Sequence, residues 1–143
     1  MAIASAVSNT FKTEALRAVH NFTQGGNTFR LALYTSSATL NKSTTAYTTS
    51  NEVANGNGYT TKGIALTNVT PALSGDTAVC DFANVSFTSA SFTANGCLIF
   101  NDTAANDPSV CSIAFGGDKT VTSGPFTIEF PAADASNAIL RIA

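Results

Sequence analysis

Few side chains in this sequence could do chemistry. His20 is the single histidine, and the carboxylates are Glu14, Glu52, Glu129 and six Asp. A nucleophilic triad needs a histidine held by a carboxylate and turned to a hydroxyl, and those groups meet in space, not in sequence. No G-x-S-x-G elbow or H-G-G-G-like turn accompanies His20, so the sequence offers a base without an activated serine. His20 falls near the end of a helical segment, where the helix dipole favours a cation. Glycoside hydrolysis would need two carboxylates across one cleft. Most of the Asp lie instead in turn contexts, Ser74-Gly75-Asp76, Asn106-Asp107-Pro108 and Gly117-Asp118, where they bond local backbone. Glu129 alternates with Ile128 and Phe130 and should face solvent.

Cys80, Cys97 and Cys111 form no C-x-x-C pair, and a zinc site would need a fourth ligand. A hairpin centred near Ala104 would set Cys97 opposite Cys111, with Ile99 and Ile113 on the same face. Directly opposed strand cysteines make strained disulfides, so reduced, buried thiols are expected. The glycine-rich segments 51–63 and 115–124 match neither a P-loop nor a strand-loop-helix fingerprint; they read as turns that need positive φ. Calcium-loop spacing is absent. No residue is therefore assigned a catalytic, cofactor-binding or metal-ligating role, no cofactor is expected, and the chain does not read as an enzyme.

What remains is a surface, and composition describes it. The chain has 143 residues, of which only 11% are charged, against about 25% in ordinary domains. More than half of the residues are Ala, Ser, Thr, Asn or Gly. One domain of this size buries roughly 68–70% of its unfolded surface, enough for a complete core. A net charge of −2 without a basic cluster gives counterion release little to act on, so neither nucleic acid nor an anionic membrane is an expected partner. No stretch approaches the roughly 18 apolar residues of a membrane span. Ala4-Ser5-Ala6 imitates a signal-peptidase site but lacks a basic region before it, and the start reads as a mature terminus. Five Asn-x-Ser/Thr sequons, at Asn21, Asn41, Asn68, Asn84 and Asn101, stand against roughly three expected by chance from 13 Asn among 35 Ser and Thr, so the motif says little.

The elements that must carry this surface follow from periodicity. Residues 10–22, TFKTEALRAVHNF, place Phe11, Ala15, Ala18 or Val19, and Phe22 on one helical stripe, with Asn9 or Thr10 as cap, Glu14 in the first turn and Gln24-Gly25-Gly26 as the stop. From Thr28 onward the period is two, in short runs bounded by Gly, Asn, Asp and Pro: 28–35, 63–69, 77–87, 90–100, 109–115, 125–130 and 137–143. Serial short strands with no helix between them predict a mainly β chain, an antiparallel β-sandwich or barrel-like fold with one short N-terminal α-helix. The expected organisation is an N-terminal arm over residues 1–9, ordering on a neighbouring subunit, followed by one domain over 10–143 that includes helix 10–22. Residues 36–49 interrupt the strand pattern with Ser, Thr and Asn and a single charge, Lys42. They read as an exposed excursion for contact with another protein.

Four strings, FKTEALRAVHNF, FRLALYTSSATLNKSTTAYTTSNEVANGNGY, FTANGCLIFND and FGGDKTVTSGPFTIEFPAADASNAILRIA, together resemble a family of small virion structural proteins of tailed bacteriophages, including cyanophages. The resemblance spans most of the chain in order; Cys97 stands where an aliphatic or small residue is expected. It implies a capsid decoration or cement protein, with the major capsid protein as partner, self-association into homo-oligomers, and a place in the virion after assembly in the host cytoplasm. A tail, baseplate or fibre component is the alternative, as is a virion-displayed receptor- or carbohydrate-binding module using an aromatic patch of Tyr34, Tyr47 and Tyr59. Free strand edges would offer further attachment.

Overall fold

The computed structural model describes residues 2–143. Two antiparallel sheets face each other, so the expected β-sandwich is the fold of this chain. The strands are β1 (Ala6–Val7), β2 (Phe29–Tyr34), β3 (Ile64–Ala65), β4 (Asn68–Ser74), β5 (Thr77–Phe82), β6 (Val85–Asn101), β7 (Ser109–Ile128) and β8 (Leu140–Ile142), with one helix, α1 (Asn9–Leu16), among the described residues. The larger sheet runs β1-β7-β6-β2-β3 and the smaller β4-β5-β8.

Alternation in β2 explains the layering. Phe29, Leu31 and Leu33 enter the core between the sheets with Phe82, Ile99 and Val110. Their neighbours Ala32 and Tyr34 point the other way, yet they too are buried, under Ala38, Leu40 and Ile3. The large sheet is thus covered on both faces, by the small sheet on one and by the N-terminal residues and the polar excursion on the other. Gly63 has φ +70, and a Cβ there would lie 1.8 Å from the Leu31 carbonyl oxygen; only glycine permits this approach beside β2.

Four expectations need correction. Helix 10–22 ends at Leu16, because Ala18 turns to φ 60 and the Val19 N–H closes back onto the Glu14 carbonyl at 3.0 Å, a left-handed stop. His20 and Phe22 therefore lie beyond the helix; the cap is Ser8, and the first turn holds no acid. The arm expected over 1–9 is bound to its own domain: Ala6 and Val7 pair with Ser112 and Cys111, and Ile3 bridges Leu40. Met1 lies outside the described residues. Cys97 stands opposite Ile113 and Ile99 opposite Cys111, two residues further along β7 than expected: the turn sets Phe100 opposite Ser109, which accounts for one, and a bulge at Val110 adds the other.

The fourth correction divides one run and joins others. The run 77–87 divides at Ala83-Asn84 into β5 and the first residues of β6, which continues through 90–100, while 109–115 and 125–130 merge into β7 across the glycines. Opposite Asn95 alone, β7 spends residues 115–118 in a bulge. Gly116 at φ 80 and Gly117 at φ 152 make it possible, and the Asn95 amide closes it onto Asp118 at 2.9 Å. The bulge and Pro125 lie on the free edge of β7 and blunt it against edge pairing.

Candidate functional site

Three places collect the residues singled out above. The first is His20, whose side chain is fully buried beside α1. Asn101 fixes its tautomer. The Asn101 carbonyl oxygen accepts from the Thr103 and Ala104 N–H groups, so its NH₂ must donate, to Asn27 and to His20 Nδ1 at 3.1 Å. Nε2 is then left to donate to Glu14 at 3.1 Å. The histidine thus meets a carboxylate, but both ring nitrogens are engaged and neither is turned to a hydroxyl. Its ring also packs in an aromatic row with Phe11 at 4.9 Å and Phe29 at 6.1 Å. The geometry is that of a pin joining the segment after α1 to β6.

The second place is Glu52, which sequence reasoning passed over. Tyr47 and Tyr59 each donate a phenol to it at 2.6 Å, and the Lys62 N–H donates at 2.8 Å. Burial, then the Glu52 carboxylate, pushes both phenols above their ordinary 10.0. Lys62 extends the hub: its ammonium bridges Asp102 at 2.9 Å and Asp107 at 2.8 Å, clamping the β6–β7 turn. Further anchors run along the excursion. Tyr34 donates to Thr48 at 2.6 Å, Tyr47 N–H to Asp107, and Ser109 Oγ to Thr44 while contacting Ser8 Oγ. Ala38 and Leu40 are buried. The excursion is therefore not wholly exposed, as its composition suggested; it is a tied layer whose outward residues include Ser36, Ser37, Thr39, Lys42, Ser43, Thr49 and Ser50. With Tyr34 and Tyr59 buried, the three tyrosines do not form the shallow patch of a sugar-binding module.

The third place is an apolar groove between α1 and the small sheet, with a volume of about 650 Å³. Phe11, Leu16 and Phe22 line one side, and Cys80, Leu140 and Ile142 the other. No family model, curated protein or solved structure matches this chain. Among the described residues no group of three or more His, Cys, Asp or Glu is placed to hold a metal ion, and no helix is long and apolar enough to cross a membrane. Of the sequons, Asn68 and Asn101 are buried and their amides are bonded within the fold.

The thiols are free and buried. Burial pushes Cys80 and Cys111 from 9.0 up to about 12 and raises Cys97 well above its ordinary range. Folded thiols thus keep their protons where unfolded ones ionise, so unfolding releases protons and stability falls as pH rises from about 9 to about 12. At about pH 8 a thiol reagent should leave the native chain unlabelled over minutes and label all three cysteines in denaturant. Rapid native labelling would contradict the buried placement.

Proposed function

We propose that this chain is a virion structural protein of a tailed bacteriophage, a decoration or cement protein that bridges subunits of the major capsid protein. The observation that carries the reading is the tied layer formed by the excursion over 36–49 and the loop over 50–62: hydroxyls and amides face outward while Glu52, Lys62 and the tyrosines fix the backbone beneath them. A pre-ordered face of small polar side chains loses little entropy on docking, which suits a protein that adds many copies by lateral contact. The resemblance of the four strings to phage virion proteins supports the same role. The engagement of both nitrogens of His20 by structural partners supports a non-enzymatic one.

Copy number tests it. Quantitative mass spectrometry of purified virions, scaled to the major capsid protein, should give on the order of hundreds of copies per particle, as repeated closed symmetry of a shell requires. A count fitting one vertex would move the protein to the tail, and its absence from virions would remove the reading.

A further inference from the structure

The chain contains three Asn-Gly pairs, Asn55-Gly56, Asn57-Gly58 and Asn95-Gly96. Asparagine is a thermolabile residue, and most so before glycine, which leaves the next backbone nitrogen unhindered. That nitrogen, once it gives up its proton, attacks the carbonyl carbon of the asparagine side chain. Reaction therefore needs two groups to be free, the side chain of the asparagine and the N–H that follows it.

The fold ties both groups at two of the pairs. The Asn95 amide donates to Asp118 at 2.9 Å, and Gly96 is buried in β6 between Tyr34 of β2 and Ala114 of β7. The Asn55 side-chain oxygen accepts from the Thr61 N–H at 3.1 Å, and the Gly56 N–H donates to the Tyr59 carbonyl at 2.7 Å. Asn57-Gly58 is the tip of the turn that this last bond closes, with the Tyr59 N–H returning to Gly56 at 3.1 Å. Its φ values of 54 and 86 are the left-handed pair of a two-residue hairpin turn. Both residues are exposed, and neither the Asn57 side chain nor the Gly58 N–H has a partner among the described residues.

We propose that Asn57 is a site of spontaneous deamidation, and that its product loosens the loop over 50–62 as the protein ages. Water takes the Gly58 proton, the nitrogen bonds to Asn57 Cγ, and the Cγ–Nδ2 bond breaks. The proton passes through solvent to the leaving nitrogen, which departs as ammonia. Water then opens the cyclic imide at either carbonyl, giving aspartate or isoaspartate. One water is consumed and one ammonia released, with no change of oxidation state.

Isoaspartate carries the consequence, because its backbone runs through the former side chain and adds a methylene to a turn without slack. The Asn57 carbonyl accepts from the Ser91 N–H at 2.9 Å; in isoaspartate that carbonyl leaves the main chain and becomes part of the free carboxylate. Gly58 lies so close to β6 that a Cβ on it would stand 2.7 Å from Ala90 Cα. A longer turn displaces both contacts, which help to seat the loop of Glu52 and Tyr59 on β6. The site goes beyond the capsid reading and, as a property of the isolated chain, stands or falls separately from it.

Incubation of the purified full chain at mildly alkaline pH, followed by peptide mapping with mass spectrometry, tests the proposal. Each conversion adds about 1 Da. Asn57 should gain it first, with Asn55 and Asn95 at least about tenfold slower because their reaction waits on local opening. In denaturant the three pairs should convert at similar rates. The isoaspartate form, isolated chromatographically, should be cleaved within 50–62 faster than the unreacted chain in limited proteolysis. Asn57→Asp adds the charge without lengthening the backbone and should be cleaved like the wild type. Conversion of Asn57 in the folded chain no faster than that of Asn55 or Asn95 overturns the site. An isoaspartate form as resistant as the unreacted chain, or an Asn57→Asp chain cleaved as fast as the isoaspartate form, overturns the loosening by a lengthened turn.

Discussion

Phe29→Ala is expected to lower the unfolding free energy by about 3–5 kcal/mol, read as a lower urea midpoint with an unchanged slope. Phe29 is fully buried as the first residue of β2. Its ring lies 4.3 Å from that of Phe22 at an interplanar angle of 4° and 5.8 Å from that of Phe82. Those contacts join three parts of the molecule: β2 of the large sheet, β5 of the small sheet, and the irregular chain after α1. Removing the ring leaves a cavity between the sheets, and neighbours that are themselves packed can collapse into it only in part. A loss under about 1 kcal/mol would mean that the site relaxes freely and that the aromatic row does not join the layers.

Much of this architecture was legible because period two survives wherever one face is buried. β2 and β8 fall where alternation places them, whereas the run 63–69 spans β3 and the start of β4, in different sheets, and the run 77–87 spans β5 and the start of β6. The misreadings have physical causes. Phe22 continues a helical spacing by coincidence, since the helix has already ended when Ala18 turns left-handed, and an alanine carries no marker of that turn. Glycine pairs read as punctuation, yet Gly116 and Gly117 lie inside β7 as a bulge. The cysteine register differs by two residues, one from the turn and one from a bulge at Val110, and no composition signal announces either.

The second face of the large sheet was hidden for a different reason. Ala38, Leu40 and Tyr47, which cover it, are too sparse among hydroxyls to make a period. Glu52 gave no signal either, because its partners stand five, seven and ten residues away along an aperiodic loop. A carboxylate flanked by two tyrosines and a lysine at loop spacing could have been weighed as an anchor.

Glu52→Ala should therefore cost about 3 kcal/mol, since hydrogen bonds to a charged group contribute about 1.5–3 kcal/mol each and the variant strips acceptors from two phenols and one N–H. Partial solvent access keeps the loss below the full sum. Tyr59 suffers most: it is 2% exposed, its oxygen still accepts from the Leu33 N–H at 3.0 Å, and its own proton would have no acceptor. Glu52→Gln keeps the shape but replaces one acceptor oxygen by a donor, so an intermediate loss is expected. Urea denaturation gives the energies, and limited proteolysis locates them, with cleavage expected within 42–62 before the sheets open. Stability within about 0.5 kcal/mol of wild type would show that the excursion is held by its other anchors. If the proposed capsid contact uses this layer, Glu52→Ala should also lower particle occupancy at temperatures where the sandwich remains folded, because a face that must be ordered at docking binds with the cost that pre-ordering had removed.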